Sequence, residues 1–542
     1  MPSRRPYNID RKNIYGRMSM NVSEKIVQLR ARAHMTQAAC AEELGVTRQA
    51  IPKWESGAVV PELENLIRLS RMFGVSLDEL VGCGNRRNAE ILYQQSKISP
   101  DYSQMNVWDS YAEDLRTEYR QAMEEGKDVE TYRELFDSVA KMPSGLEKKE
   151  IADILFNMVM KAPMRADYIY NEPSDLEGIR LLRRGETPKL PLPDRAELED
   201  RLLGAWLGRI CGCLLGKPVE TWKRAQLQPM LKASGNWPMH RYIRSSDVAE
   251  DQKNKCWADT VDCMPVDDDT NYTVLAGVLL DKYGRDFTPE NVASVWMDYQ
   301  PRRAYCTAER VAYTNFMRGY MPPNSAVYHN PYREWIGAQI RGDYYGYINP
   351  GDPETAADMA FRDASISHIK NGIYGEMFVS AMLAQAAVER DMEQVIRAGL
   401  AQIPAGSRLH EAVCAVIDGW KKGVSAEVCF IEIHKRFDEN ELHDWCHVIS
   451  NAMVVTAALL YGEGDYGKTV CLAVHTGFDT DCNAATAGSV LGMMRGSAAI
   501  GPEWTGPVHG QLDTSIFGVG KVSVADMVRK TMTHLPKGLY AE

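Results

Sequence analysis

Between residues 194 and 220 the sequence places a glycine at every fourth position, at Gly204, Gly208, Gly212 and Gly216. Residues four apart lie on the same face of an α-helix, so these glycines form one stripe without side chains. Each glycine destabilises a helix by about 1 kcal/mol relative to alanine, so a loss of roughly 4 kcal/mol has to be offset. Two interpretations stay open: another helix packs closely against the stripe, or a ligand approaches its backbone.

The ends of this glycine-striped helix are marked by local signals. Asp194 and Glu197 match a capping box, which predicts that the helix begins there. The preceding stretch, ETPKLPLPD at 186–194, is a proline-rich connector that should be extended and stiff. The helix runs into Lys217-Pro-Val-Glu220, which places the carboxylate of Glu220 at its exit. We therefore expect a domain to span residues 194–535.

Length and composition limit the remaining possibilities. At 542 residues the chain is too long for one core, so two to four domains are expected. Residues 1–82 contain 12 Lys/Arg and 9 Asp/Glu, a net charge of +3. Since the net charge of the whole chain is −11, the remaining residues carry −14. This basic head is a weak indication of nucleic-acid contact.

Cysteine usage and hydropathy point to a cytoplasmic protein. The 12 cysteines include no CxxC pair, as expected for reduced thiols. The first twenty residues lack the apolar region of a secretory signal. The apolar stretch 202–215 is shorter than the roughly 20 residues needed to span a bilayer. We expect no membrane partner.

Residues 20–83 show apolar residues at helical spacing with a break about every ten residues, which predicts a cluster of short helices. Thr36 is placed to cap one helix and Thr47 the next, after a very short turn. The run TQxxxAxxLGVTRQAIxKWExG resembles the Cro/repressor (Xre-type) helix-turn-helix family. In that family the second helix enters the major groove, so the resemblance places four side chains at double-stranded DNA: Gln37, Arg48, Gln49 and Lys53.

One residue departs from this pattern. Pro52 stands inside the expected recognition helix, about five residues after Thr47. A proline in a helix interior costs about 3 kcal/mol, so we expect a kinked helix. The alternative for this module is a helical cluster that only docks or dimerises, which would make the protein a homodimer.

Two groups of aspartates each precede a helix. Three adjacent carboxylates, Asp267, Asp268 and Asp269, exceed what a helix start needs, although the helix dipole favours each by about 0.3 to 1 kcal/mol. Their repulsion is best relieved by a cation, and hard oxygen ligands suit Mg²⁺, Ca²⁺ or Mn²⁺. About two hundred residues later, Asp479 and Asp481 precede a helix of small residues that would pack against the glycine stripe.

The glycine stripe ending in Glu220, the DDDT run at 267–270 and the GxDTD run at 477–481, in that order, resemble the ADP-ribosylglycohydrolase family over about residues 200–500. The resemblance implies an all-α chain in which a small helix-turn-helix domain precedes a large orthogonal helical bundle. Residues 84–193 are then a helical connecting region.

The same resemblance assigns roles to individual residues. It implies two Mg²⁺ ions, or alternatively Mn²⁺, held by Asp267, Asp268, Asp269, Asp479 and Asp481. It implies catalytic roles for Glu220, Asp269 and Asp479. It implies contacts with an ADP-ribosylated substrate from Glu220, Gly337, Arg341 and His368.

Two residues of the expected centre depart from the family pattern. Asp267 stands where the family commonly has Thr, and Cys482 stands where a hydroxyl residue often supplies a further ligand. A thiol is a poor ligand for Mg²⁺. The departures imply fewer protein ligands, a softer metal or a different substrate orientation.

The predicted function is metal-assisted hydrolysis of an ADP-ribosyl, or related ribosyl, glycosidic bond. The alternative is a transcriptional regulator whose pocket only senses an ADP-ribose-like nucleotide. His410, His443 and His447 show no ligand spacing and are interpreted as structural.

Overall fold

The computed structural model describes residues 21–81, 100–252 and 255–540. The chain divides into two compact units, Met1–Tyr102 and Ser103–Glu542. The expected boundary at 83–84 lies outside the described residues. Over the described ranges the chain is helical, and its only strands are β1 (Gln511–Leu512) and β2 (Val522–Ser523), paired antiparallel. The all-α prediction is confirmed.

Within residues 21–81 the first unit contains a cluster of five short helices around a small core that includes Ile26, Ile51 and Leu69. Their bounds are α1 Val22–Arg32, α2 Gln37–Glu43, α3 Ala50–Glu55, α4 Leu63–Phe73 and α5 Leu77–Leu80. The Thr36 hydroxyl accepts a hydrogen bond from the Ala39 amide at 3.1 Å, so the cap of α2 is as expected.

The start of α3 differs from the expectation. The helix begins at Ala50 with Gln49 in the capping position, so the interpretation of Thr47 as its cap was wrong. Residues 48–49 form a turn, and the Ala50 amide donates to the Thr47 carbonyl at 2.9 Å. Pro52 is therefore the third residue of the helix. The amides of the first turn have no intrahelical acceptor, so Pro52 removes no helical hydrogen bond there.

The second unit contains the other α-helices of the described residues. Its first part contains α6 Leu115–Glu124, α7 Arg133–Ala140, α8 Leu146–Lys161 and α9 Leu176–Leu182. Then follow α10 Arg195–Gly216, α11 Arg224–Ala233, α12 Asp268–Tyr283, α13 Pro289–Tyr299, α14 Ala308–Met317, α15 Asp343–Tyr347, α16 Pro353–Ala364, α17 Lys370–Ala386 and α18 Met392–Leu400. The last are α19 Arg408–Lys421, α20 Ala426–Arg436, α21 Leu442–Cys446, α22 Val448–Tyr461, α23 Tyr466–His475, α24 Thr480–Arg495, α25 Pro502–Thr505 and α26 Val524–Thr533.

The glycine stripe of α10 faces α24 at backbone contact. A Cβ atom added to Gly208 would lie 2.1 Å from the Gly488 carbonyl oxygen, and one at Gly212 would lie 2.2 Å from that of Ala484. A Cβ atom added to Gly216 would lie 2.3 Å from the Asp481 amide nitrogen. Of the two interpretations of the stripe, close packing of another helix is the one that the structure bears out.

Residues 103–193 pack directly onto the rest of the second unit. Arg333, which is fully buried, donates to the Glu118 carboxylate at 2.9 and 3.0 Å and also to Glu125, both on or next to α6. Arg408, at the start of α19, donates to Glu172 at 2.9 Å. Carboxylates of the connecting region therefore neutralise buried arginines of the larger bundle.

Among the described residues one helical stretch, Arg195–Val219, is long and apolar enough to cross a membrane by length and composition alone. Its most apolar window is 83% buried within the fold. Since the glycine face of this stretch contacts α24, its apolar character is that of a core helix.

Replacing Gly208 with alanine tests the contact between α10 and α24. The added methyl group would overlap backbone atoms that cannot rotate away, so we expect Gly208→Ala to lower the free energy of unfolding by about 3 kcal/mol. Gly419→Ala, within α19, is the control, because a Cβ atom there would find its nearest neighbour, the Val424 side chain, at 4.0 Å. It should stabilise the protein by about 0.5 to 1 kcal/mol. Urea denaturation measures both, and equal values would contradict the packing role.

Candidate functional site

The first aspartate cluster lies where α12 begins. Asp267 is the capping residue, and its Oδ1 accepts from the Asp269 amide at 2.9 Å. Its Oδ2 accepts from Lys217 Nζ at 2.6 Å, just past the end of α10. Asp269 is fully buried, whereas Asp268 is half-buried. The start of α12 therefore presents three carboxylates next to the exit of the glycine-striped helix.

The second cluster lies at the start of α24 on a tightly held turn. Phe478 is buried with φ of 59°, a left-handed conformation that is uncommon for a bulky residue. The amide of Phe478 donates to Glu439 Oε2 at 3.4 Å, and that of Asp479 donates to Asn451 Oδ1 at 3.2 Å. These contacts from outside the turn fix where Asp479 and Asp481 enter the site.

The two clusters meet in one acidic centre, which comprises Asp267, Asp268, Asp269, Asp479 and Asp481. Two groups of side chains each place one ligand atom per residue within 4.8 Å of one another. The first group consists of Cys213, Asp267, Asp269 and Asp481, and the second consists of Asp479, Asp481 and Cys482. Asp481 belongs to both groups. The packing of Gly216 against the Asp481 amide accounts for this approach, because it joins the end of α10 to the start of α24.

Three oxygens of this acidic centre are buried without any hydrogen-bond partner: Asp269 Oδ2, Asp479 Oδ1 and Asp481 Oδ1. A buried charge without a partner is costly, and native carboxylates in this position are paired or bind a metal. Carboxylate oxygens are also the ligands that Mg²⁺ and Mn²⁺ prefer. The residues present therefore fit a divalent cation.

The buried Arg209 joins the acidic centre to its surroundings. It projects from α10, and its guanidinium donates to the Asp269 carbonyl at 2.7 Å and to Asp269 Oδ1 at 3.2 Å. It also donates to the Ile340 carbonyl at 2.5 Å and pairs with Asp343 at 2.8 Å. One side chain thus positions α12, the stretch before α15 and α15 itself around α10.

The acidic residues shift one another's protonation. Repulsion by the charge of Asp481 raises the pKa of Glu220 to about 9. Burial, with the nearby Asp267 and Asp481, raises the pKa of Asp268 to about 8. Burial also raises the pKa of Asp481 to about 6, with Asp267 adding to the shift. Without a cation the cluster holds protons that isolated carboxylates would lose.

Glu220 lies just after the end of α10, as the sequence predicts, and is the exposed one of the three expected catalytic carboxylates. Asp269 and Asp479, at the starts of α12 and α24, are both buried. Glu220 is therefore the carboxylate of this group that water and substrate reach most easily.

The expected substrate-binding residues Gly337, Arg341 and His368 converge on a residue that the sequence did not indicate, Glu309 at the start of α14. Arg341 donates to Glu309 Oε1 at 2.7 Å and to Asp363 Oδ1 at 2.6 Å. A Cβ atom at Gly337 would lie 2.1 Å from Glu309 Oε1, so only glycine leaves room for this carboxylate.

His368 also belongs to this group of side chains around Glu309. Its Nδ1 lies 2.8 Å from the Ser367 hydroxyl, and its buried Nε2 has no hydrogen-bond partner. Burial raises the pKa of Glu309 to about 7. Arg341 and His368 are each only 1% exposed, so both lie behind the accessible surface. Direct substrate contact by these two side chains stays a prediction.

A third group, Glu124, His443 and His447, also has ligand atoms within 4.8 Å of one another. The Trp335 indole donates to Nδ1 of His443 at 3.0 Å, and the Ile449 amide donates to Nδ1 of His447 at 3.1 Å. A neutral imidazole that accepts at Nδ1 carries its hydrogen on Nε2. Both Nε2 atoms, which face Glu124 at 3.1 and 3.5 Å, then carry hydrogens, so this group suits hydrogen bonding to the Glu124 carboxylate better than metal binding.

In the first unit, Arg48, Gln49 and Lys53 are exposed in and just before α3. Gln37, at the start of α2, is half-buried and donates to Glu55 Oε2 at 2.5 Å. Glu55 also pairs with Arg30 of α1. Gln37 therefore braces α2 against α3 in this structure, whereas the other three side chains are free to reach a groove.

Comparison with known proteins separates the two units. The family model described as ADP-ribosylglycohydrolase matches residues 194–534, well over half of the chain. The model described as helix-turn-helix matches residues 26–80. A solved structure described as an ADP-ribosylglycohydrolase-related protein complex covers 62% of this chain and 98% of its own, at 20% identity and a TM-score of 0.40.

Two curated proteins resemble the first unit. The chain is 47% identical over 62 residues to the HTH-type transcriptional activator BcrR of Enterococcus faecalis, covering 11% of this chain and 30% of that protein. It is 32% identical over 80 residues to the cryptic phage CTXphi transcriptional repressor RstR of Vibrio cholerae, covering 15% of this chain and 71% of that protein. The chain thus spans less than a third of the first relative's length. The predicted helix-turn-helix is confirmed.

The raised carboxylate pKa values predict how metal removal affects stability. An acid whose pKa is higher in the folded state favours folding at low pH, and that advantage is lost as the pH rises through the folded pKa. In EDTA, Asp268 and Glu220 should therefore destabilise the protein between pH 7 and 9, on the order of 2 kcal/mol after solvent screening.

Urea denaturation at pH 7, 8 and 9, with EDTA or with Mn²⁺, measures this fall. Bound cation should flatten the pH dependence, and Asp268→Asn should reduce it in EDTA. Equal slopes with and without metal would contradict a cation at the acidic centre.

Proposed function

The chain belongs to the ADP-ribosylglycohydrolase family, and we propose that it is a metal-dependent hydrolase of an ADP-ribosyl, or related ribosyl, glycosidic bond that also binds double-stranded DNA through its first unit. The observation that carries the enzymatic part is the convergence of carboxylates from two helix starts, with three buried oxygens that lack partners. A pocket that only senses a nucleotide has no need of this costly arrangement.

The proposed cofactor is a pair of divalent cations, Mg²⁺ or alternatively Mn²⁺. Asp267, Asp268, Asp269, Asp479 and Asp481 are the residues that would hold them. Bound cations would polarise the sugar and lower the pKa of a water molecule. Asp481 supports a paired arrangement, because its carboxylate belongs to both groups of candidate ligands.

The protein side chains supply proton transfer and positioning in the proposed reaction. Water adds to the anomeric carbon, the bond to the leaving group breaks, and the leaving group takes up a proton. Glu220 is the proposed acid and base, because it is exposed beside the centre. Arg209 holds Asp269 through both backbone and side chain, and Asn451 holds the Asp479 turn, so neither carboxylate has to reorient.

The proposed DNA contacts are Arg48, Gln49 and Lys53, with Gln37 available only if it leaves Glu55. Arginine and glutamine can read base edges in the major groove, and lysine can neutralise phosphate. The free thiols among the described cysteines fit the proposed cytoplasmic location.

The alternative is a transcriptional regulator whose larger unit only senses an ADP-ribose-like nucleotide. The similarity of the first unit to an activator and a repressor favours this candidate. A turnover assay separates the two. ADP-ribosylated protein and small ADP-ribosyl compounds are incubated with the full chain, with Mg²⁺, Mn²⁺ or EDTA, and released ADP-ribose is quantified. Metal-dependent binding without product would support the sensor and contradict the hydrolase.

Asp481→Asn tests the acidic centre. It keeps the shape of the side chain but removes the charge that both groups of candidate ligands share, so we expect kcat/KM to fall about a hundredfold or more. Asp465→Asn is the matched control, since Asp465 caps α23 at an exposed position and asparagine caps as well. Asp481→Asn with full activity would show that the assignment is wrong.

Arg48→Ala combined with Gln49→Ala tests the DNA contacts. The double variant should bind operator DNA at least tenfold more weakly, with a shallower dependence on salt because one phosphate or base contact by arginine is gone. Arg71→Ala on α4 removes the same charge outside the helix-turn-helix pair and serves as the control. Fluorescence anisotropy with fragments selected from genomic DNA measures both. Equal affinity of the two variants would contradict the assignment of Arg48 and Gln49.

A further inference from the structure

Two thiols lie inside the acidic centre. Cys213 belongs to the group formed by Asp267, Asp269 and Asp481, and Cys482 belongs to the group formed by Asp479 and Asp481. Each group of candidate ligands therefore contains one sulfur, although the two cysteines come from different helices. Both are buried, with Cys213 fully enclosed and Cys482 7% exposed.

The packing of α10 on α24 explains this placement. Cys213 follows Gly212, whose backbone touches Ala484, and Cys482 follows Asp481, whose amide touches Gly216. The same contact that brings the aspartates together therefore brings one thiol from each helix to them. Cys211 provides a comparison within α10: it is equally buried but belongs to no group of candidate ligands, as expected for a cysteine that only fills space.

Sulfur changes which cation such a centre prefers. Thiolates are soft ligands and bind Mg²⁺ and Mn²⁺ poorly, whereas Co²⁺ and Zn²⁺ accept mixed sulfur and oxygen ligands. The buried oxygens without partners, Asp269 Oδ2, Asp479 Oδ1 and Asp481 Oδ1, are the second and independent indication that a ligand belongs here. They lie in the same groups as the two sulfurs.

This inference rests on the metal centre of the proposed function. We propose that Cys213 and Cys482 are sulfur ligands of that centre, so that it binds borderline-soft cations of the Co²⁺ or Zn²⁺ type more tightly than Mg²⁺ or Mn²⁺. Each thiol loses its proton to solvent as the cation binds.

Cobalt spectroscopy tests the proposal on the full chain. The protein is stripped with EDTA, kept reduced without oxygen and titrated with Co²⁺. Sulfur ligation gives a near-ultraviolet charge-transfer band that oxygen ligands do not give. We expect the band in the wild-type protein, a weaker band in Cys213→Ser and in Cys482→Ser, and none in the double variant. Cys211→Ser should keep the full band, and a tenfold excess of Mg²⁺ should not displace Co²⁺.

The possible results separate the sulfur ligands from the metal centre. Co²⁺ binding seen by calorimetry without the band would overturn sulfur ligation and leave the metal centre intact. Failure to bind Co²⁺, Mn²⁺ and Mg²⁺ would overturn both. If a serine variant does not fold, X-ray absorption spectroscopy of the wild-type protein with bound Co²⁺ decides: we expect sulfur among the atoms that coordinate the ion, and a shell of oxygen and nitrogen alone would overturn the proposal.

Discussion

The backbone contact between α10 and α24 is the constraint on which the other features depend. With glycines on one side and Gly488, Ala484 and the Asp481 amide on the other, the two helices approach as closely as their main chains allow. The Thr480 hydroxyl adds a hydrogen bond to the Gly216 carbonyl at 3.0 Å. Side chains of ordinary size would separate the helices, and the aspartates at the start of α24 would then no longer reach those at the start of α12.

That approach concentrates negative charge in a place with little water. Arg209 and Lys217 offset two of the carboxylates through contacts with Asp269 and Asp267, but the remaining charge needs cations or protons. The surrounding protein holds the carboxylates in place despite this repulsion, as the buried turn at Phe478 illustrates. Such a site is prepared for a positively charged ligand before that ligand arrives, which limits the reorganisation needed on binding.

The sequence predicted the parts of this arrangement that leave a local pattern. The glycine spacing, the capping signal at Asp194 and the runs of aspartates each depend on neighbours within a few residues, and all were visible. Thr47 shows the limit of local signals, since a further turn moves the start of α3 to Ala50. The contact of Arg341 with Glu309 joins residues 32 positions apart, so no spacing rule indicated Glu309.

The buried ion pairs made by residues 103–193 show that the segment matched by the family and the unit that folds do not begin at the same residue. The family match begins at 194, yet Arg333 and Arg408 inside it find carboxylates at Glu118 and Glu172, outside it. A fragment cut at 194 would leave Arg333 without both of its carboxylate partners, Glu118 and Glu125, and would leave Arg408 with Glu334 alone, which should destabilise the fragment. The segment that matches the family therefore depends on residues before it, so in this chain the family segment is smaller than the unit that folds.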